Sequence, residues 1–177
     1  MSNILVVLGS ARPGRVAEKV LEYVKSDIEA REGAQVVVAD LKEINLPFFD
    51  NENAPASPDY VITNENALVW QKLVTEADGI VFITPEYNHT LSAIQKNALD
   101  TLSNEWVEKP VTAVAYGWSG GSLAIATLNE VLPHLKTKYD SDAAALLPFM
   151  KDLNPDGTLL NEESVARQIK TAIDSIA

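Results

Sequence analysis

The chain has 177 residues, a hydrophobic fraction of 46% and a formal net charge of −11. This fits one domain over residues 1–177 with a core of independent size, and the acidic balance argues against nucleic acid or anionic membranes as partners, since both need clustered Lys and Arg. The sequence holds no cysteine and only two histidines, which excludes disulfides, thiolate metal sites and cysteine nucleophiles and makes a histidine-rich metal site improbable.

The chain begins on a strand-like run, NILVVL at 3–8. It shows neither a basic n-region nor a cleavage site there, and no apolar stretch approaches the ~18 residues of a membrane span, so a cytoplasmic protein is expected. Val16, Val20, Leu21, Val24 and Ile28 then recur at helical spacing. QVVVAD at 35–40 reads as a second strand, and a Pro- and Asn-rich stretch over about 44–60 as a long loop. Ile62, Leu68, Val69 and Leu73 mark a second helix, GIVFIT at 79–84 a third strand, and Leu91, Ile94, Ala98 and Leu102 a third helix. VTAVAY at 111–116 is a fourth strand, followed by a helix marked by Leu128, Val131, Leu132 and Leu135. A fifth strand is expected within 143–149 and a last helix over 162–176.

The strand runs are near-continuous in Val and Ile, as in strands buried on both faces. Strand–helix alternation with right-handed crossovers predicts an α/β fold: a five-stranded parallel sheet, order 2-1-3-4-5, with helices on both sides. Ligands bind such sheets beyond the carboxyl ends of the strands, at the switch point. The loops after residues 8, 84 and 116 should therefore converge on one site.

The first of these loops is GSARPGRV, 9–16. Gly9 and Gly14 permit tight turns, Ser10 supplies a hydroxyl, and Arg12 and Arg15 supply bidentate donors for phosphate oxygens. The loop feeds the N-terminus of a helix, where free amides and the dipole favour an anion. The nucleotide-hydrolase pattern G-x-x-x-x-G-K-[ST] fails at Arg15 and Val16, and the dinucleotide pattern G-x-G-x-x-G fails at Ala11. A monophosphate fits better than a pyrophosphate. Asp40, closing the second strand, is weak evidence for a ribose contact.

The loop after the third strand places Pro85, Glu86, Tyr87, Asn88 and His89 at the cleft. Such a run suits a heterocycle, which it meets with backbone N–H groups and an aromatic body. Simple packing serves Tyr87 as well, and His89 fits a surface position near the next helix better than a catalytic one. Asn97 fits a role in holding the loop rather than touching ligand. After the fourth strand, YGWSGGSLA at 116–124 offers Gly117, Gly120 and Gly121 for close approach to a flat ligand and Ser119 and Ser122 as caps or ligand donors. Trp118 fits a ring-flanking, a packing or an interface position equally.

These segments resemble the NAD(P)H-dependent FMN reductase family of flavodoxin-like proteins, which includes azoreductases and quinone or chromate reductases. The resemblance is carried by GSARPGR, LPFFDNE at 46–52, ADGIVFITPEYNHTLSAIQKNALD at 77–100, KPV at 109–111 and YGWSGG, in that order over about residues 3–135. It implies that Ser10, Arg12 and Arg15 hold the FMN phosphate, with Gly9 and Val16 in the same loop. It also implies that Pro85, Glu86, Tyr87 and Asn88 line the isoalloxazine and that Ser119, Gly120 and Gly121 approach it from the other side. Two departures stand out. Arg15 replaces a common serine or threonine, and Leu91-Ser92-Ala93 stands where many members carry a proline. The implied activity is hydride transfer from NADPH or NADH through FMN to a small acceptor in ping-pong fashion, with no catalytic side chain and no metal. A homodimer or homotetramer is implied as well. A one-electron carrier that docks a protein partner is the competing reading, favoured by the acidic charge and disfavoured by the arginines of the first loop. A sensor or binding module without turnover is the third.

Overall fold

The computed structural model describes residues 2–176. Its parallel sheet is built from β1 (Ser2–Leu8), β2 (Ala34–Asp40), β3 (Gly79–Pro85), β4 (Pro110–Gly117), β5 (Lys138–Tyr139) and β6 (Ala145–Pro148). The order is β2-β1-β3-β4-β5, with β6 also paired to β4. The helices are α1 (Ala17–Glu29), α2 (Leu41–Ile44), α3 (Glu65–Glu76), α4 (Ala93–Asp100), α5 (Ser122–His134) and α6 (Glu162–Asp174).

Alternation along the strands divides the apolar side chains between two layers. Ile4, Val6, Leu8, Val81, Ile83 and Val114 pack under α1 and α6. Leu5, Val7, Ile80, Phe82, Ala113 and Ala115 pack under α3, α4 and α5, where Trp70 and Trp106 lie fully buried. With both faces covered, the three central strands have no room for polar alternation, which is why they read as unbroken apolar runs.

The expected fifth strand is split in two. β5 pairs the start of β4, Pro110 to Lys138 and Val111 to Tyr139. β6 pairs its end, from Val114–Ala145 to Gly117–Pro148. Between them Asp140 accepts the Asp142 amide at 3.0 Å and starts a single 3₁₀ turn, Ser141–Ala143. Short polar residues that bond their own backbone interrupt a ladder in this way. Helix starts also shift from the apolar marks. Ile62 and Leu91 precede their helices because Asn64 and Ser92 are the caps, accepting amides of Asn66 and Ala67 and of Gln95.

The parallel register brings Leu8, Pro85, Gly117 and Pro148 to the same edge of the sheet. The loops following all four strands therefore meet there. No helix among the described residues is long and apolar enough to cross a membrane.

Candidate functional site

At that edge a cleft of about 220 Å³ opens between the loops. Of the candidate residues, Ser10, Arg12, Arg15, Val16, Pro85, Glu86 and Tyr87 line it. Tyr116, Trp118 and Phe149 form its aromatic wall. Gly9, Asn88, Ser119, Gly120 and Gly121 stand behind or beside the lining.

Among the described residues, one arginine of the first loop is paired with carboxylates and the other is not. Arg15 is drawn inward, its side chain 6% exposed, and its guanidinium pairs with both carboxylate oxygens of Asp40. It also donates to the Ser10 carbonyl at 2.6 Å and to Glu18 at 3.1 Å. Arg15 thus braces the loop from inside, and Asp40, only weak evidence for a ribose contact in the sequence, is taken up by Arg15 and by capping α2. Burial alone would raise the Asp40 carboxyl, but the Arg15 hydrogen bonds and charge, with the Lys42 and Glu43 amides, hold it below the usual carboxylate range. Arg12 is exposed, and among the described residues no carboxylate lies within ion-pair distance of it. The N-terminus of α1 has no side-chain cap at Val16. A Cβ placed on Gly14 would meet nothing within 4 Å.

Ser10 ties the loops together. Its hydroxyl lies 2.6 Å from the Tyr87 hydroxyl. Burial pushes the Tyr116 phenol above its ordinary pKa, so it stays protonated and can donate at neutral pH.

The second loop is a tight hairpin turn. Tyr87 and Thr90 exchange backbone bonds at 3.0 and 3.1 Å, and Asn88 and His89 between them have φ of 47° and 66°. Two consecutive left-handed residues define the turn type that Asn favours. Asn88 suits this backbone conformation, and it is not among the residues that line the cleft. Replacing Asn88 by Gly should leave stability unchanged within about 0.5 kcal/mol. Replacing it by Ala should cost about 1–2 kcal/mol of left-handed strain, read as the urea midpoint of the flavin-free protein. Asn97 accepts the Phe49 amide at 2.9 Å and donates to the Pro47 carbonyl at 2.8 Å, so it holds the long loop as its sequence position suggests.

Glu86 joins the second loop to the third. Its carboxylate accepts the Leu123 amide at 3.0 Å and the Ser119 hydroxyl at 2.5 Å. It caps α5 from another loop, where Ser119 and Ser122 were expected as caps or ligand donors. The glycines here answer to internal packing. A Cβ on Gly121, whose φ is 83°, would lie 2.5 Å from the Ala115 Cβ and 2.8 Å from the Tyr116 nitrogen. One on Gly120 would press on Pro148 at 3.2 Å.

Sequence reasoning misses Phe149 and undervalues Tyr116. Phe149 stands 6.2 Å from Tyr116 and 5.7 Å from Trp118, edge-on to the latter. It enters from the fifth strand position, whose sequence carries no motif.

This arrangement has known counterparts. The NADPH-dependent FMN reductase family model matches residues 2–150. The NAD(P)H-dependent FMN reductase of Saccharomyces cerevisiae is 36% identical, covering 89% of this chain and 90% of that protein. The FMN-dependent NADPH-azoreductase of Staphylococcus haemolyticus is 30% identical, covering 97% and 92%. In structure, the flavoenzyme NAD(P)H:(acceptor) oxidoreductase of Paracoccus denitrificans superposes with a TM-score of 0.77 at 23% identity, covering 99% of this chain and 96% of that one. A fold with the expected strand order, a family model over most of the chain and relatives matched along nearly their full length agree: the chain belongs to the NADPH-dependent FMN reductase family.

Proposed function

We propose that this chain binds FMN in the cleft and uses it to carry electrons from NADPH or NADH to a small acceptor such as a flavin, quinone, azo compound or metal oxyanion. The observation that carries the reading is the pairing of one spare cation, Arg12, with an uncapped helix N-terminus at the mouth of an aromatic-walled cleft, on a chain of net charge −11. That is a site for a flat ring bearing one phosphate. When bound, FMN would supply the redox chemistry, two-electron transfer from the nicotinamide to the acceptor.

The protein's part is positional. Arg12, the α1 amides and the open space at Gly14 receive the phosphate, while Arg15, pinned by Asp40, keeps the loop from collapsing onto them. The Ser10–Tyr87 hydroxyl pair ties the first loop to the second, the phosphate end of the cleft to the ring end. The Asn88 and His89 amides, outside the turn's own ladder, are free to meet the polar edge of the ring. Donors there stabilise the negative charge that builds up on reduction. No side chain needs to act as a general acid or base.

One cleft leaves donor and acceptor sharing the same space in turn. Initial rates with NADPH and a quinone should therefore give parallel lines in double-reciprocal plots, and excess quinone should compete with NADPH for the oxidised enzyme. Intersecting lines would require both substrates bound together and would remove the shared cleft.

A further inference from the structure

The chain holds three tryptophans, and two of them behave as core residues. Trp70 and Trp106 are fully buried, and their indole N–H groups donate to the carbonyls of Ala98 and Leu99. Trp118 is different in every respect. It is 73% exposed although it lines the cleft, and among the described residues its N–H has no partner in the hydrogen bonds of the chain. A large aromatic surface left in water beside a binding cleft costs solvation that a bound ligand would recover.

Trp118 is also held in place. Phe149 packs beneath it at 88°, ring centroids 5.7 Å apart, and Phe149 in turn leans on buried Tyr116. The turn that carries Phe149 is fixed by bonds from the Phe149 amide to Gly117 at 2.9 Å and from the Met150 amide to Leu153 at 2.8 Å. Met150 there adopts φ of 64°, a left-handed conformation unfavourable for a long side chain. Strain retained in a tightly bonded turn beside a cleft points to a geometry kept for use. The result is a flat aromatic ledge beside the cleft.

Resting on the reading that FMN occupies the cleft, we propose that Trp118, backed by Phe149, is the acceptor-selecting residue. It stacks flat aromatic acceptors, the quinones, on its indole face. Compact acceptors without a ring gain nothing from it. The chemistry matches: a stacked ring is stabilised by face or offset contact.

The test uses the FMN-loaded protein with 2,3-dimethyl-1,4-naphthoquinone, whose substituted ring positions resist addition by lysines. Equilibrium dialysis against oxidised protein without NADPH reads binding alone. Trp118→Ala should weaken binding about ten-fold, and Trp118→Phe, which keeps a smaller aromatic face, should fall between. In turnover, the ratio of kcat/KM for the naphthoquinone to that for ferricyanide should drop about ten-fold in Trp118→Ala. Unchanged naphthoquinone binding in Trp118→Ala would overturn the assignment. So would an equal loss for naphthoquinone, ferricyanide and NADPH, which would make Trp118 a general wall of the cleft. Failure of the wild type to pass electrons from NADPH to either acceptor would strike the reductase reading instead, and the dialysis result would still stand or fall alone.

Discussion

Arg12→Ala should bind FMN ten- to a hundred-fold more weakly than the wild type while unfolding at the same urea concentration. The side chain is exposed and has no carboxylate partner among the described residues, so its removal costs the fold little. What it removes is charge-assisted bonding to a phosphate, worth roughly 1.5–3 kcal/mol, which is the stated range in affinity. Riboflavin, with no phosphate, should bind both proteins equally. Arg15→Ala should behave in the opposite way. It leaves the Asp40 carboxylate, its side chain 19% exposed, without its cation and the Ser10 carbonyl without its donor, so the unfolding midpoint should fall. Fluorescence titration of the apoprotein with FMN and with riboflavin checks the two binding statements, and urea denaturation checks the stability of both variants. Equal FMN affinity in wild type and Arg12→Ala would remove Arg12 from the site.

Gly121→Ala should be the most damaging single methyl in the ligand-binding loops. The added carbon would lie 2.5 Å from the Ala115 Cβ and 2.8 Å from the Tyr116 nitrogen, both in β4. Neither contact is with the far end of a flexible side chain, so α5 or the strand must move. The φ of 83° adds left-handed strain of about 1–2 kcal/mol, and overpacking adds roughly 1–3 kcal/mol. A loss of roughly 2–5 kcal/mol in the flavin-free protein is expected, measured by urea denaturation. If Gly121→Ala instead keeps full stability and loses only FMN, the glycine is there to let the ligand approach and the packing account fails.

The central strands were legible because burial on both faces leaves them little but Val, Ile, Leu and Ala, and that run needs no tertiary information to recognise. From their order and handedness the three loops could be brought together on paper. β5 and β6 were not legible as two pieces, since two and four residues at a sheet edge carry too little pattern against Asp140 and Ser141 between them. Within the site, residue type located the loops but could not say how each charge was used. Arg12 and Arg15 look alike in sequence, and only the partner 25 positions away, Asp40, distinguishes the brace from the free cation. Glu86 presents the same difficulty, its partners lying at Ser119 and Leu123 on the next loop. Asn88 was visible as a polar residue at the cleft, but two adjacent left-handed residues are a property of the hairpin that no single letter displays.

The reading of this chain as a reductase, rather than a one-electron carrier or a sensor, is tested most directly by adding NADPH to the FMN-loaded protein in the absence of air. The account predicts that the visible absorbance of oxidised flavin is lost within the time of a turnover, without a lasting one-electron intermediate, and returns when a quinone is added. Flavin that binds tightly in the wild type and stays oxidised under excess NADPH and NADH would contradict it.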